Sequence, residues 1–392
     1  MTYVSIDGSV LEGGGQILRN SVSLSALLNT PISITNIRTG RKPPGLKNQH
    51  RVGIEVAAEI CSGRVQGATN GSTVVEFYPS STKLPCHATA DAVTAGSTAL
   101  LLQTALPMLL FAPVSLDEAM APSSRPEPST LIIRGGTNAS QAPQIEYTQH
   151  ILVPFLKRHF GLDRGLEISL KKRGYFPKGG GELLVSVPSR IEPLRPIQLS
   201  TEQGRVIRIG GLSHVGRLPA SLATEMAGGA LKRLAEAGFK SSTDPLEPNG
   251  SQQETVIPIE IKIKRERNDD CLGAGSGIVL WAELEGGGMI GGSALGRKNV
   301  SPAQVGEAAA DELIKGLKEG GCVDEYLQDQ IIIFMALAAG TSSVLTGPTS
   351  LHTQTAIWVA EKLTQAKFDV VEQPSGQCVI SCQGIAYQRA AE

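Results

Sequence analysis

The chain has 392 residues, 41% hydrophobic and 19% charged, so it carries enough apolar material for a sizeable core and lacks the composition of a disordered polymer. At about 150 residues per domain the length points to two or three units. Lysine and arginine together number 36 against 37 acids, a net charge of −1, which excludes a polycation, so any nucleic-acid contact must come from a local basic patch.

The 44 glycines beside 4% aromatics suggest tight turns and close backbone approaches. Cys61, Cys86, Cys271, Cys322, Cys378 and Cys382 include no C-x-x-C pair, and no His or Cys cluster joins the last two. Neither structural zinc nor a disulfide framework is expected, and reduced thiols in a cytosolic or nuclear protein are the default. The opening Met1-Thr2-Tyr3-Val4 reaches Asp7 at once, unlike a signal peptide. The longest apolar stretch, Ala99 to Val114, is interrupted by Gln103, Thr104 and Pro107 and is too short to span a membrane.

In chain order, Gln16 to Leu28 reads as a helix and Pro31 to Ile37 as an alternating strand. Ala95 to Phe111 reads as a buried helix, and Pro113 to Thr130, with four prolines, as a surface insertion without regular structure. Tyr147 to Phe160 is amphipathic and Leu166 to Leu170 follows as a strand. From about Val187 to Leu272 the chain is more charged. It holds a helix at Glu225 to Ala237, a polar loop at Lys240 to Thr255 and an alternating strand at Val256 to Ile263, the pattern of a smaller inserted α/β unit. Tyr326 to Ala339 is an apolar helix before a strand at Ser342 to Leu345, and His352 to Gln365 is a helix before a strand at Phe368 to Val371. This recurring helix–turn–strand grammar indicates layered α/β (α+β) architecture with weakly repeated units.

Five features could carry chemistry. No acid occurs from Gly13 to Ile54, where Arg19, Arg38, Arg41, Lys42, Lys47, His50 and Arg51 stand, partly on a Pro-Pro-Gly loop. Guanidinium forks on a rigid loop suit phosphate oxygens, and a solvated basic loop fits equally well. Glycine turns at Glu12 to Gln16, Gly135 to Asn138 and Pro177 to Glu182 match neither the Walker pattern nor G-x-G-x-x-G. They are either anion cradles or ordinary turns. His352 precedes an amphipathic helix, where a neutral imidazole is a nucleophile beside an anion site, or else a capping or packing residue. Tyr326, Asp329 and Gln330 enter an apolar helix and face either a ligand or solvent. Gln103, inside an apolar run, needs a partner in backbone, water or ligand.

Together these blocks resemble the RNA 3′-terminal phosphate cyclase family over nearly the whole chain, most closely its eukaryotic form. The segments that carry the likeness are Asp7 to Arg19, Arg41 to His50, Gly135 to Asn138 with Ala142-Pro143, Arg173 to Glu182, Glu325 to Gln330 and Leu351 to Thr355, all in order. The resemblance implies a large domain of three repeated αβ units, like that of enolpyruvyl transferases, with a smaller α/β domain inserted before the third. The expected divisions are 1–186, 187–276 and 277–392. It also implies an ATP-dependent reaction. A histidine attacks the α-phosphorus and releases pyrophosphate, AMP passes to an RNA 3′-phosphate, and the 2′-hydroxyl closes a 2′,3′-cyclic phosphate.

On this resemblance His352 is the nucleophile, and Gln103, Pro143, Tyr326, Asp329 and Gln330 fall on ATP-site positions. Glu12 falls on a carboxylate for a divalent metal, Mg²⁺ or Mn²⁺. Arg19, Arg38, Arg41, Gln49 and His50 fall around the triphosphate and the RNA end. The expected partners are ATP and RNA with a 3′-phosphate, with no membrane, and the expected location is nuclear or also cytoplasmic, although no dense polybasic signal is present. One rival is a non-catalytic ribosome-assembly branch of the same superfamily, which lacks the histidine. An enolpyruvyl transferase, the other, would need a site for two small anions and no adenylate.

Overall fold

The computed structural model describes residues 3–82, 84–111, 127–162, 165–188, 192–241 and 255–388. The first unit runs strand Val4–Asp7, helix α1 (Gly15–Leu27), strand Ile32–Thr35, helix α2 (Asn48–Ile60), then strands Arg64–Gln66 and Val75–Tyr78. The second runs strand His87–Asp91, helix α3 (Thr98–Leu110), strand Ser129–Gly135, helix α4 (145–160, with a π turn at Thr148–Leu152), then strands Glu167–Lys172 and Gly181–Val187. In both sheets the first strand lies parallel to the second, the second antiparallel to the fourth, and the third on the outer edge of the fourth.

The third unit opens with the two-residue strand Gln198–Leu199 and is then interrupted. The interruption contains strand Val206–Gly216, helix α5 (Ala220–Glu236), strands Phe239–Ser241, Thr255–Ile257, Ile259–Arg265, Gly275–Leu284 and Met289–Leu295, and helix α6 (Pro302–Lys318). The unit resumes with helix α7 (Glu325–Leu337), strand Thr341–Thr346, helix α8 (Leu351–Leu363) and strands Lys367–Glu372 and Cys378–Gln383. Its sheet repeats the same order of pairing. The repeat that is faint in residue identity is therefore explicit in topology.

Three expectations need correction. The smaller unit sits inside the third repeat, after its opening strand, rather than before it. Two residues are too few to show a strand period, and their partner Ser343 lies far along the chain. The smaller unit also runs past 276, because Ile290, Val305 and Leu313 share one core with Ile209 and Leu234. Finally, Val256 to Ile263 is two strands broken at Pro258, whose missing N–H cannot join a ladder. The first piece pairs with Phe239–Ser241 and the second with Val206–Gly216. Of the expected surface insertion, Ser129 and Thr130 open a strand, and residues 112–126 lie outside the described residues. Residues 242–254 of the polar loop do too.

No described helix is long and apolar enough to cross a membrane. Five of the six cysteines are buried. The main core joins the three repeats, with Ile17, Leu24, Leu102, Leu106, Ile331 and Phe334 from α1, α3 and α7 meeting between the sheets.

Candidate active site

A cavity of about 750 Å³ opens where the N-terminal end of α1 meets α2, α7 and α8, with the smaller unit closing its far side. The twelve residues that the resemblance placed at a site all line it: Glu12, Arg19, Arg38, Arg41, Gln49, His50, Gln103, Pro143, Tyr326, Asp329, Gln330 and His352, whereas Lys42 and Arg51 of the basic stretch do not, Arg51 pairing with Glu55 instead. Five cations and three carboxylates face the space, an excess of positive charge in a chain whose net charge is −1. An anion entering it is favoured electrostatically.

The rim is assembled from the first and third repeats. The Glu12 N–H donates to Thr355 Oγ1 at 3.2 Å, which ties the glycine turn before α1 to α8 about one turn beyond His352. The N-cap of α1 is Gly14, which has no side chain to cap it, so the first amides of the helix are left to other partners. Gly15 lets the turn approach the site closely, since a Cβ there would lie 2.9 Å from both Arg19 Nη1 and His50 Nε2 and would displace them. Arg19 also donates to Gln16 Oε1. The α8 start is capped by Ser350, which accepts from the Thr353 N–H, and His352 lies exposed at the mouth. Desolvation and the nearby Arg19 and Arg41 push its pKa down, against the pull of Glu12. A lowered pKa keeps the imidazole neutral, as a nucleophile must be.

His50 is buried, and its pKa is pushed down to about 3 by desolvation and by Arg19, Arg38 and Lys47. Its Nδ1 accepts the Lys47 N–H at 3.1 Å, so the proton of the neutral ring sits on Nε2, which can donate towards the cavity. Arg38 is partly committed to its own loop, because Nη1 donates to Gly45 O at 2.7 Å and Pro43 O at 3.3 Å. Gln49 Oε1 accepts the Ser97 N–H at 3.2 Å and joins α2 to the start of α3. The partner that Gln103 required is a side chain: its Nε2 donates to Gln330 Oε1 at 2.9 Å, and Gln330 Nε2 donates to Tyr326 O at 2.7 Å. Burial raises the Asp329 pKa to about 7, with Arg19 opposing the shift and Asp324 and Glu12 adding to it.

Glu12 fits a divalent cation. Its Oε1 accepts from Arg41 Nη2 at 2.6 Å, while its buried Oε2 has no hydrogen-bond partner among the described residues. No group of three or more His, Cys, Asp or Glu gathers among the described residues. Glu12 alone would hold the ion, the pattern of Mg²⁺ sites completed by phosphate and water.

Sequence reading missed the far wall, formed by Ser293 to Leu295, Arg297, Gln304 and Glu312 of the smaller unit. Two glycine turns are absent from the described lining. Asn138 and Arg173, from the turns at Gly135 to Asn138 and before Pro177, join a buried cluster with Glu146, Glu266 and His214 that fixes the second repeat to the smaller unit.

Three copies of one β-α-β-α-β-β unit, with a cationic cavity at whose mouth a histidine opens a helix, define a repeat-built α/β protein with a cavity that attracts anions. Residues 10–370 match the RNA 3′-terminal phosphate cyclase family. The chain is 37% identical to RNA 3′-terminal phosphate cyclase of Pyrobaculum aerophilum, covering 98% of this chain and 99% of that protein. It is 36% identical to the Drosophila melanogaster protein of the same name, over 98% and 97%. Identity to the probable RNA 3′-terminal phosphate cyclase of Dictyostelium discoideum is 37%, over 97% and 83%. The chain belongs to the RNA 3′-terminal phosphate cyclase family, a family of ligases.

Proposed function

We propose that this chain uses ATP to convert an RNA 3′-terminal phosphate into a 2′,3′-cyclic phosphate, with His352 as the nucleophile. The observation that carries the reading is His352 on the same rim as Glu12, Arg19 and Arg41. An imidazole nitrogen of His352 attacks the α-phosphorus, a P–N bond forms, and the bond to pyrophosphate breaks. An oxygen of the RNA 3′-phosphate then displaces the histidine and takes the AMP. Attack by the 2′-hydroxyl on the activated terminal phosphorus releases AMP, and the hydroxyl proton leaves to solvent or to the departing phosphate.

Arg19, Arg41 and the His50 Nε2–H supply donors for phosphate oxygens on which charge develops. Glu12 would hold Mg²⁺ or Mn²⁺, which supplies charge neutralisation to a triphosphate. Pro143 and Tyr326 offer apolar and aromatic surface for a base, and the Gln103–Gln330 pair and Asp329 polar contacts for a nucleoside. The names of the relatives support cyclisation, and His352 in the cavity counts against the ribosome-assembly alternative.

The test is to incubate the protein with ATP labelled at the α-phosphate and Mg²⁺ or Mn²⁺. An acid-labile, base-stable protein adenylate is expected, and His352→Ala should lose it while keeping its melting temperature. Normal labelling of that variant would remove the covalent mechanism.

A further inference from the structure

The turn Tyr175 to Gly180 plays no part in the chemistry above, yet it is built with care. Tyr175 points inward, buried, with its hydroxyl 2.9 Å from His214 Nδ1. The Gly179 N–H donates back to Tyr175 O at 2.8 Å, closing the turn. Gly179 and Gly180 both have positive φ, +64° and +74°. A Cβ at Gly179 would meet Thr94 O at 2.8 Å, and one at Gly180 would meet Leu272 Cβ at 2.7 Å. The turn is therefore wedged between the loop at 93–96 and the segment at 271–273, and only glycine allows that approach.

What this wedge presents to solvent is Phe176, 64% exposed, beside Lys178. Val93 on one flank is 81% exposed and Leu272 on the other 57%. A single exposed apolar residue needs no explanation, but three on adjoining segments around a rigid turn form a patch. Neither Lys178 nor Lys47 makes an ion pair among the described residues. Of the carboxylates on neighbouring segments, Asp91 accepts the Val93 N–H, Glu182 pairs with Arg134 at 2.8 Å and Asp270 with Arg267 at 2.8 Å, while the exposed Asp269 makes no ion pair among the described residues.

The patch adjoins the mouth of the cavity by two routes. Tyr175 bridges to Asn138, and the next residues, Ala139 to Gln141, line the cavity. On the other side Asn48 holds Ala92 O, and Gln49, which lines the cavity, holds the Ser97 N–H. An RNA is a polymer, so when its 3′ end reacts inside the cavity the preceding nucleotides must leave across this rim. A rigid aromatic face next to an unpaired cation is the combination that binds single-stranded nucleic acid without regard to sequence.

We infer that Phe176 is a stacking platform for a base upstream of the RNA 3′ end, with Lys178 taking a backbone phosphate. The assignment rests on the cyclase reading above and adds to it a subsite outside the cavity. The test measures binding of two 5′-labelled, 3′-phosphorylated oligoribonucleotides by fluorescence anisotropy, one a dinucleotide and one of about ten nucleotides. Phe176→Ala should weaken the longer RNA about tenfold and the dinucleotide by less than about twofold, and Phe176→Trp should restore the longer one. Lys178→Gln should reduce the salt slope for the longer RNA by about one. Thermal melts check that each variant folds.

Wild-type affinity for the longer RNA in Phe176→Ala overturns the platform and leaves the cyclase reading standing. So does an equal loss for both lengths, which is a cavity defect, or a loss that Trp fails to restore. If the wild-type protein binds neither RNA, the cyclase reading itself fails and takes the platform with it. The binding readout needs no turnover, so an inactive preparation does not mask the result.

Discussion

Arg173 and the arginines of the cavity have opposite surroundings. Arg173 is 1% exposed and matched in charge, its Nη2 held by the ion pair with Glu266 and by no hydrogen bond among the described residues. It meets Glu146 at 2.5 Å and Glu266 at 2.9 Å, and Lys264 reaches Glu266 at 3.0 Å, so two cations face two carboxylates. Burial alone would raise the Glu146 pKa, but Arg173 and His214 outweigh it and bring it to about 2. Desolvation and Arg173 hold His214 neutral, its pKa down to about 3. Around the cavity, by contrast, cations outnumber carboxylates, and one oxygen of Glu12 has no partner among the described residues. A matched, buried cluster specifies how two units dock, whereas an unmatched, open one is completed by a ligand.

The largest effect should come from breaking the matched cluster. Arg173→Met leaves two buried carboxylates short of a cation and should lower stability by about 3–5 kcal/mol, read by denaturant unfolding. Adding Glu146→Gln to Arg173→Met removes one orphaned charge and should recover more than about 1 kcal/mol. No recovery in the double variant would mean that the cluster acts by packing rather than by charge.

The opposite behaviour is expected at the cavity. Arg41 is half exposed on the rim, and Arg41→Ala should change stability by less than about 0.5 kcal/mol. Its adenylation should nevertheless require severalfold more ATP, and an unchanged KM would remove Arg41 from the triphosphate site.

A pH dependence is expected as well. Folded Asp329 keeps its proton up to about 7, whereas in the unfolded chain it titrates near 3.8. Between those values the folded state binds the extra proton, so this group's contribution to stability falls as pH rises from 3.8 to about 7. Asp329→Asn lacks that fall. Its melting temperature relative to wild type should climb across this window and level off above it, and a flat difference would place the Asp329 pKa near its ordinary value.

Much of the plan was legible along the chain. The helix expected at Gln16 to Leu28 is Gly15–Leu27, and the one at Tyr326 to Ala339 is Glu325–Leu337, because both carry long apolar faces with clear ends. The acid-free stretch from Gly13 to Ile54 does supply Arg19, Arg38, Arg41, Lys47 and His50 to one cavity. Strand Gln198–Leu199 was not legible, because its identity lies in pairing with a distant partner. The wall at Ser293 to Arg297 was equally silent, as nothing in its composition says that it closes a space begun at Glu12.

Local chemistry, then, determined the helices, the basic loop, the glycine turns and which side chains could bind phosphate, since those depend on neighbours within a few residues. Only the tertiary structure decided that the smaller unit interrupts the third repeat, that Gln103 is answered by Gln330, and that Arg173 is buried between two carboxylates while Arg41 stays half exposed beside Glu12. Each of these depends on burial and on partners far along the chain, and both are set when the repeats and the smaller unit pack together.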